Sequence, residues 1–258
     1  MNILMLSRYK WPRVGGVEKH VYMVSKKLEI RGHKIKILTE EEVGKDKWEI
    51  WKNVWKYKEL FDWADVVHIH DVYFWIWWYK LFNWSKRTFV TFHGWEGIYP
   101  VPWKNILVRK ISELMANGNI CVGEFIKKYY FTKPDFVIFG AAEKFKNVKI
   151  LRKDAIFVGK EGKDLEFYKK LAKKMKVKLD IFIADPNASQ YFYKYKYAFV
   201  NGYLTILEAM SQDTQVYAYY DNPLKYNYLN MTPFNSAGYQ VPTWQDIADI
   251  YENLWQKK

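Results

Sequence analysis

Four stretches of this chain put glycine, cationic or hydroxyl residues where an apolar run gives way to a helical pattern. Gly15-Gly16-Val17-Glu18 follows one such run and opens a helix. Glycine lets a backbone approach a ligand closely, and a helix amino end offers unpaired N–H groups and a positive dipole, so the pair suits a phosphate. It is not the three-glycine dinucleotide fingerprint, and a two-glycine turn is also an ordinary turn. His93-Gly94 closes the run Phe89 to Phe92; an imidazole there can donate or accept a proton near neutral pH, or serve the core. Val158-Gly159-Lys160-Glu161-Gly162-Lys163 carries Lys160 and Lys163, which could neutralise a diphosphate or belong to a solvated basic loop. Asn201-Gly202-Tyr203-Leu204-Thr205 leads into Ile206-Leu207-Glu208-Ala209-Met210, with amides and the Thr205 hydroxyl in the first turn and Glu208 one turn on, where a carboxylate could accept two hydroxyl hydrogen bonds from a ribose. His68, His70 and Asp71 invite a metal reading. No cysteine or further carboxylate has ligand spacing with them, so no metal is expected.

The elements that must carry these residues alternate. Asn2 to Leu6, Lys34 to Thr39, Asp65 to His70, Thr88 to Phe92, Asn119 to Val122 and Phe136 to Phe139 predict strands. Val17, Val21, Val24 and Leu28 recur at helical steps up to Gly32. A second series runs through strands Ala155 to Val158, Leu179 to Ala184, Ala198 to Asn201 and Val216 to Tyr220, with helices over Asp164 to Lys176 and from Thr205. Residues 143–153 are charged and aperiodic and predict a linker. Thr243 to Lys258 predicts a capped helix with Ile247, Ile250, Tyr251 and Leu254 as anchors, able to pack back on the first domain. The expected organisation is a Rossmann-like domain over 1–145, a second over 154–242 and a helix over 243–258, with ligands beyond the carboxyl ends of the strands.

Composition narrows the partners. The 258 residues are half hydrophobic, enough for sizeable cores, and 41 Lys plus Arg against 28 Asp plus Glu give a net charge of +13. That excess favours anionic partners: phosphorylated substrates, acidic lipid or nucleic acid. Cys121 is the only cysteine, so no intrachain disulfide can form and a reducing, cytoplasmic setting is expected. Met1 to Ser7 predicts a buried strand rather than a signal peptide, and the aromatic run Tyr73 to Tyr79 is far shorter than the ~20 residues a spanning helix needs.

Taken in order, the motifs resemble the retaining GT-B glycosyltransferases of family four. The resemblance rests on Gly15-Gly16-Val17-Glu18-Lys19-His20-Val21, Arg31-Gly32-His33-Lys34-Ile35, Ala64-Asp65-Val66-Val67-His68-Ile69-His70, Thr91-Phe92-His93-Gly94, the strand–glycine–lysine loop and the Leu207-Glu208-Ala209-Met210 helix, and it covers nearly the whole chain. It implies an α/β fold of two Rossmann-like domains facing across a cleft. Gly15 and Gly16 would border the donor phosphates and sugar, and His93 the reacting carbon. Lys160 and Lys163 would hold the diphosphate; the family usually has Arg at the first, whose bidentate fork Lys160 lacks. Leu204 and Thr205 would offer amides to phosphate, Glu208 would bind ribose, and Asp185 and Pro186 would border the base. The first of the family's two glutamates falls on Val200, with Asn201 the nearest polar substitute, and Gly202-Tyr203-Leu204-Thr205 with Tyr220-Asp221-Asn222-Pro223-Leu224-Lys225 resembles a subgroup pattern, which would put Tyr203 in the donor site.

The resemblance implies transfer of a sugar from a nucleoside diphosphate to an acceptor hydroxyl with retained configuration, without a metal or other cofactor. The acceptor (glycan, lipid or protein) would bind the first domain. There Tyr73 to Lys80 and Trp103 to Lys110 mix aromatic and basic residues compatible with an anionic membrane face. Competing readings are a non-catalytic sugar-nucleotide or glycan-binding module and an epimerase of the same fold. A nucleic-acid binder leaves the two-domain pattern unexplained and lacks RNA-binding signatures.

Overall fold

The computed structural model describes residues 1–13, 15–94, 99–143, 151–220, 222–236 and 238–257. Two wholly parallel sheets form the frame. The first has six strands, β1 (Asn2–Leu6), β2 (Lys34–Leu38), β3 (Val66–His70), β4 (Thr88–Phe92), β5 (Gly118–Val122) and β6 (Phe136–Ile138), in the order β2-β1-β3-β4-β5-β6. The second has four, β7 (Lys153–Gly159), β8 (Leu179–Ile183), β9 (Tyr195–Val200) and β10 (Gln215–Tyr217), in the order β10-β9-β7-β8. Central parallel strands are covered on both faces, which is why β1, β3 and β4 are buried along their length, with His68, His70, Thr88 and Thr91 as buried polar residues among apolar ones. The two α/β halves expected from the sequence are therefore both present. The linker read over 143–153 falls largely outside the described residues.

Each sheet has one place where strand order reverses: between β1 and β3 in the first, between β7 and β9 in the second. There the connections leave toward opposite faces, opening a crevice at the carboxyl ends of the strands. The loops after these four strands carry most of the residues that matter below.

The helix Gly16–Ile30 buries His20, Val21, Val24, Ser25 and Leu28 on the first sheet. The helix Trp244–Lys257 lies against it and belongs to the same core, burying Trp244, Ile247, Ala248, Tyr251, Leu254 and Trp255. Thr243 and Asp246 cap it reciprocally, the Asp246 carboxylate accepting from the Thr243 amide at 2.7 Å and the Thr243 hydroxyl from the Asp246 amide at 3.3 Å. Arg31 pairs with Asp249 and Glu252, and the Arg87 guanidinium donates to the Trp255 carbonyl. The last helix thus follows the second sheet in sequence but completes the first domain in space. No helix among the described residues is long and apolar enough to cross a membrane.

Candidate active site

The crevice of the second sheet is closed by the first domain. Val158, Gly159 and Lys160 at the end of β7, Ala184, Asp185 and Pro186 after β8, and Asn201, Gly202, Leu204, Thr205 and Glu208 after β9 face Gly15, Gly16 and Lys19 across a cleft of about 420 Å³. Asp164, Ser189 and Lys225 add to the polar lining. Gly15 has extended backbone that any residue can adopt, so conformation does not explain the glycine pair. Space does not require it at Gly16 either, where a Cβ would stand 3.9 Å from the Leu204 Cβ of the opposite domain, an ordinary contact. The first turn of the helix Tyr203–Met210 directs its amino end at the cleft, with Thr205 on its wall.

One ion pair bridges the two domains in this cleft. The Lys19 ammonium lies 2.6 Å from the Glu208 carboxylate and donates to the Ser189 hydroxyl at 2.8 Å. Burial pushes the Glu208 carboxyl above its ordinary value, and the Lys19 charge and hydrogen bond pull it back down.

Beneath the glycine turn lies a buried imidazole cluster. Trp255 donates its indole N–H to His68 Nδ1 at 3.0 Å. Because an indole nitrogen only donates, the His68 proton sits on Nε2, which donates to the Thr91 hydroxyl at 2.8 Å. Thr91 meets the Tyr251 hydroxyl at 2.8 Å, and Tyr251 meets His20 Nε2 at 3.0 Å. His70 Nδ1 and His93 Nε2 share a hydrogen bond at 2.9 Å, and the His93 ring stands edge-on to His20 with centroids 4.6 Å apart. Burial holds His20 and His68 down at about 3, and burial with neighbouring imidazoles holds His70 and His93 well below the usual histidine value. All four are neutral at pH 7. Tyr251→Phe removes the hydroxyl that joins Thr91 to His20 and should cost about 1–3 kcal/mol in urea unfolding; an unchanged midpoint would show that the link carries no stability.

A separate cavity of about 600 Å³ opens at the crevice of the first sheet. Arg8 and Tyr9 follow β1, and His70 with Asp71 and Val72 end β3; Glu18, Lys45 and Arg109 add charge, and Phe74, Trp75 and Val108 an apolar wall. The Asp71 carboxylate accepts from the amides of His93 at 2.9 Å and Gly94 at 3.2 Å, and Arg109 donates to the Gly94 carbonyl at 2.6 Å.

The Glycosyltransferase Family 4 model matches residues 14–133. Solved structures match over the whole chain. AviGT4, a glycosyltransferase involved in avilamycin A biosynthesis, is 11% identical over 99% of this chain and 97% of its own, with a TM-score of 0.60. The UDP-N-acetylglucosamine 2-epimerase of Rickettsia bellii is 9% identical over 100% and 94%, with a TM-score of 0.54. An alpha-glucosyltransferase in complex with UDP and a 13-mer DNA is 13% identical over 99% and 90%, with a TM-score of 0.51. No curated protein matches by sequence. The chain is a GT-B protein resembling Glycosyltransferase Family 4.

In this GT-B frame the expected residues divide. Gly15, Gly16, Lys160, Asp185, Asn201, Leu204, Thr205 and Glu208 line the one cleft. Lys163 begins the helix Lys163–Met175 and is not among the lining residues; Asp164, its neighbour, is. Tyr203 is not there either, since its ring packs against Phe125, Tyr228 and Phe234 between the domains. His93 stands in the imidazole cluster, followed by Gly94 on the wall of the first-domain cavity. The Asn201 side-chain oxygen Oδ1 accepts from the Tyr168 hydroxyl, so the side-chain amide anchors the end of β9 as well as facing the cleft. Val200 is fully buried in the second core. No group of three His, Cys, Asp or Glu side chains among the described residues is placed to hold a metal, and both ring nitrogens of His68 are occupied. Ser189 was not read from sequence, and Lys19 and Lys225 stood only inside motifs, with no role of their own. Lys19 had one available signal: it lies one turn into a helix opened by a glycine pair.

Proposed function

We propose that this protein transfers a hexosyl group from a nucleoside diphosphate sugar to an acceptor hydroxyl, with retention and without a metal. The observation that carries this reading is the meeting of the second sheet's strand-end crevice with the glycine turn of the first domain. The glycine turn of one domain and the Lys160 loop and helix amino end of the other line a single cleft. Lys160, Lys225 and the amides at Leu204 and Thr205 suit a diphosphate, whose growing negative charge such groups stabilise as it departs. Lys163, the first residue of the following helix, lies outside this lining and is assigned no contact with the donor. Asp185 and Pro186 suit the base and Glu208 the ribose.

The donor carbon–oxygen bond breaks toward the diphosphate and the acceptor oxygen bonds the same carbon on the same face. The acceptor proton passes to the departing phosphate oxygen. No carboxylate nucleophile is needed for this. His93, set by Asp71 and His70, is the group proposed to act beside the reacting carbon.

Thermal unfolding against a panel of nucleoside diphosphates and their sugar conjugates, with chelator present, tests the donor. A ligand at one hundred times its dissociation constant adds ~2.7 kcal/mol. A shift with one nucleotide family names the base; no shift with any removes the donor site. Because a 2-epimerase shares the fold, products are compared with and without acceptor. A donor sugar epimerised in the absence of acceptor would replace transfer with epimerisation.

A further inference from the structure

The first domain carries an exposed aromatic face beside its cavity. Trp48 is 73% exposed, Phe82 72%, Trp84 61% and Trp103 67%, with Trp55, Trp78, Leu81 and Leu107 also open to solvent. Several of these rings touch one another. Trp48 stacks edge-on against Trp51 at 5.3 Å, Trp51 against Trp78 at 5.7 Å, and Trp55 lies 6.0 Å from Phe82. The helices Lys47–Lys56, Trp77–Phe82 and Trp103–Met115 present it, and neighbouring ones pack together. A monomer rarely leaves so many large apolar side chains exposed together without a partner for them.

Charge says which partner. Lys52, exposed, lies on the same helix face as Trp48 and Trp55, and Lys104 beside Trp103. Lys47 covers the Trp51 ring at 4.5 Å. Lys80, Lys86 and Arg87 do not add to this charge, because they donate inward, to the Trp84, Ala64 and Trp255 carbonyls respectively. Indoles between lysines are matched to a bilayer interface, where rings sit at headgroup level and ammonium groups reach anionic phosphates. The same elements wall the first-domain cavity: Ile50 from the first helix, Phe74 and Trp75 from the turn before the second, Asn105, Val108 and Arg109 from the third. A molecule anchored in the bilayer could therefore place a polar headgroup in that charged cavity.

We propose that this face docks on an anionic bilayer and that the acceptor hydroxyl belongs to a lipid headgroup. The acceptor part rests on the transferase reading above; the docking part does not. Docking is tested by co-sedimentation with vesicles of phosphatidylcholine alone or mixed with phosphatidylglycerol. At low salt the protein should sediment with the anionic vesicles and be released as salt screens the lysines. The combined variant Trp48→Ser, Phe82→Ser, Trp84→Ser, Trp103→Ser should lose roughly tenfold or more of that binding while keeping the nucleotide-induced thermal shift. A second variant, Lys52→Glu with Lys104→Glu, should lose preference for anionic vesicles with its aromatics intact. Failure of the native protein to sediment, or unchanged binding by both variants, overturns docking. A dimer dissolved by the four serines would assign the face to a second copy and also overturn it. With the donor identified, labelled sugar should enter the organic-soluble fraction of vesicles made from total polar lipid; label only in water-soluble glycans overturns the lipid acceptor.

Discussion

Lys19→Met will destabilise the protein by about 3–5 kcal/mol. Glu208 is only 6% exposed, and its carboxylate sits 2.6 Å from the Lys19 ammonium. Burial disfavours the charged carboxyl, and the Lys19 charge and hydrogen bond are what oppose that penalty. Methionine keeps most of the apolar stem but leaves the carboxylate dry and unpaired by Lys19, and removing one partner of a buried pair costs far more than the pair gains. Adding Glu208→Gln in the same chain should recover most of the loss, because an amide is cheaper to bury than an anion. Urea unfolding of the single and double variants separates the two statements. A single variant within 1 kcal/mol of native on the ~1 kcal/mol scale of an exposed pair would show that the bridge is a surface contact. The consequence for function follows from position: Lys19 belongs to the first domain and Glu208 to the second, so Lys19→Met should also weaken nucleotide binding in the cleft they share.

This bridge marks where sequence reading stops. Strand β1 was legible because a parallel strand covered on both faces needs an unbroken apolar run, which Ile3 to Leu6 supplies; β3 and β4 were legible from shorter apolar stretches, with His68, His70, Thr88 and Thr91 as buried polar interruptions. The crevice residues were legible because they follow such runs. Lys19 was not, because the period of Val17, Val21, Val24 and Leu28 identifies a helix and its buried stripe but not which polar residue meets another domain. Tyr203 failed differently. Its motif put it in the donor site, but with Phe125, Tyr228 and Phe234 nearby its ring gains more by joining the interdomain core. The Tyr73 to Tyr79 run shows a third limit. Tyr73, Trp75, Ile76 and Tyr79 are buried and Trp78 is exposed, a division set by the tight turn Tyr73–Ile76 passing into the helix Trp77–Phe82 and invisible in composition. The imidazole cluster needed contacts such as His68 with Trp255, far apart along the chain and brought together only when the last helix returns to the first domain.

That cluster should make the fold acid-sensitive well above the range where carboxylates protonate. His20 and His68 titrate at about 3 in the folded chain against 6.5 for a free imidazole, with burial the main cause. A base with a lowered folded value binds more protons when unfolded, so its contribution to stability is complete above pH 6.5 and is lost as pH falls toward 3. Each such imidazole removes ~1.4 kcal/mol per pH unit within that window. Two of them remove roughly 4 kcal/mol between pH 6 and 4.5. His70 and His93 shift in the same direction and steepen the loss. Urea midpoints measured from pH 7.5 down to 4.5 should therefore fall continuously from about pH 6.5, and the four ring signals should remain those of neutral imidazole in the folded protein at pH 5.5. A flat stability profile between pH 7 and 5, or ring signals that titrate near 6.5, would mean the cluster is wet. In that case His93 would be free to ionise at working pH. As the structure has it, His93 is neutral, so beside a reacting carbon it acts as a hydrogen-bonding group rather than as a fixed positive charge, and the stabilisation of the departing diphosphate falls to the lysines and amides across the cleft.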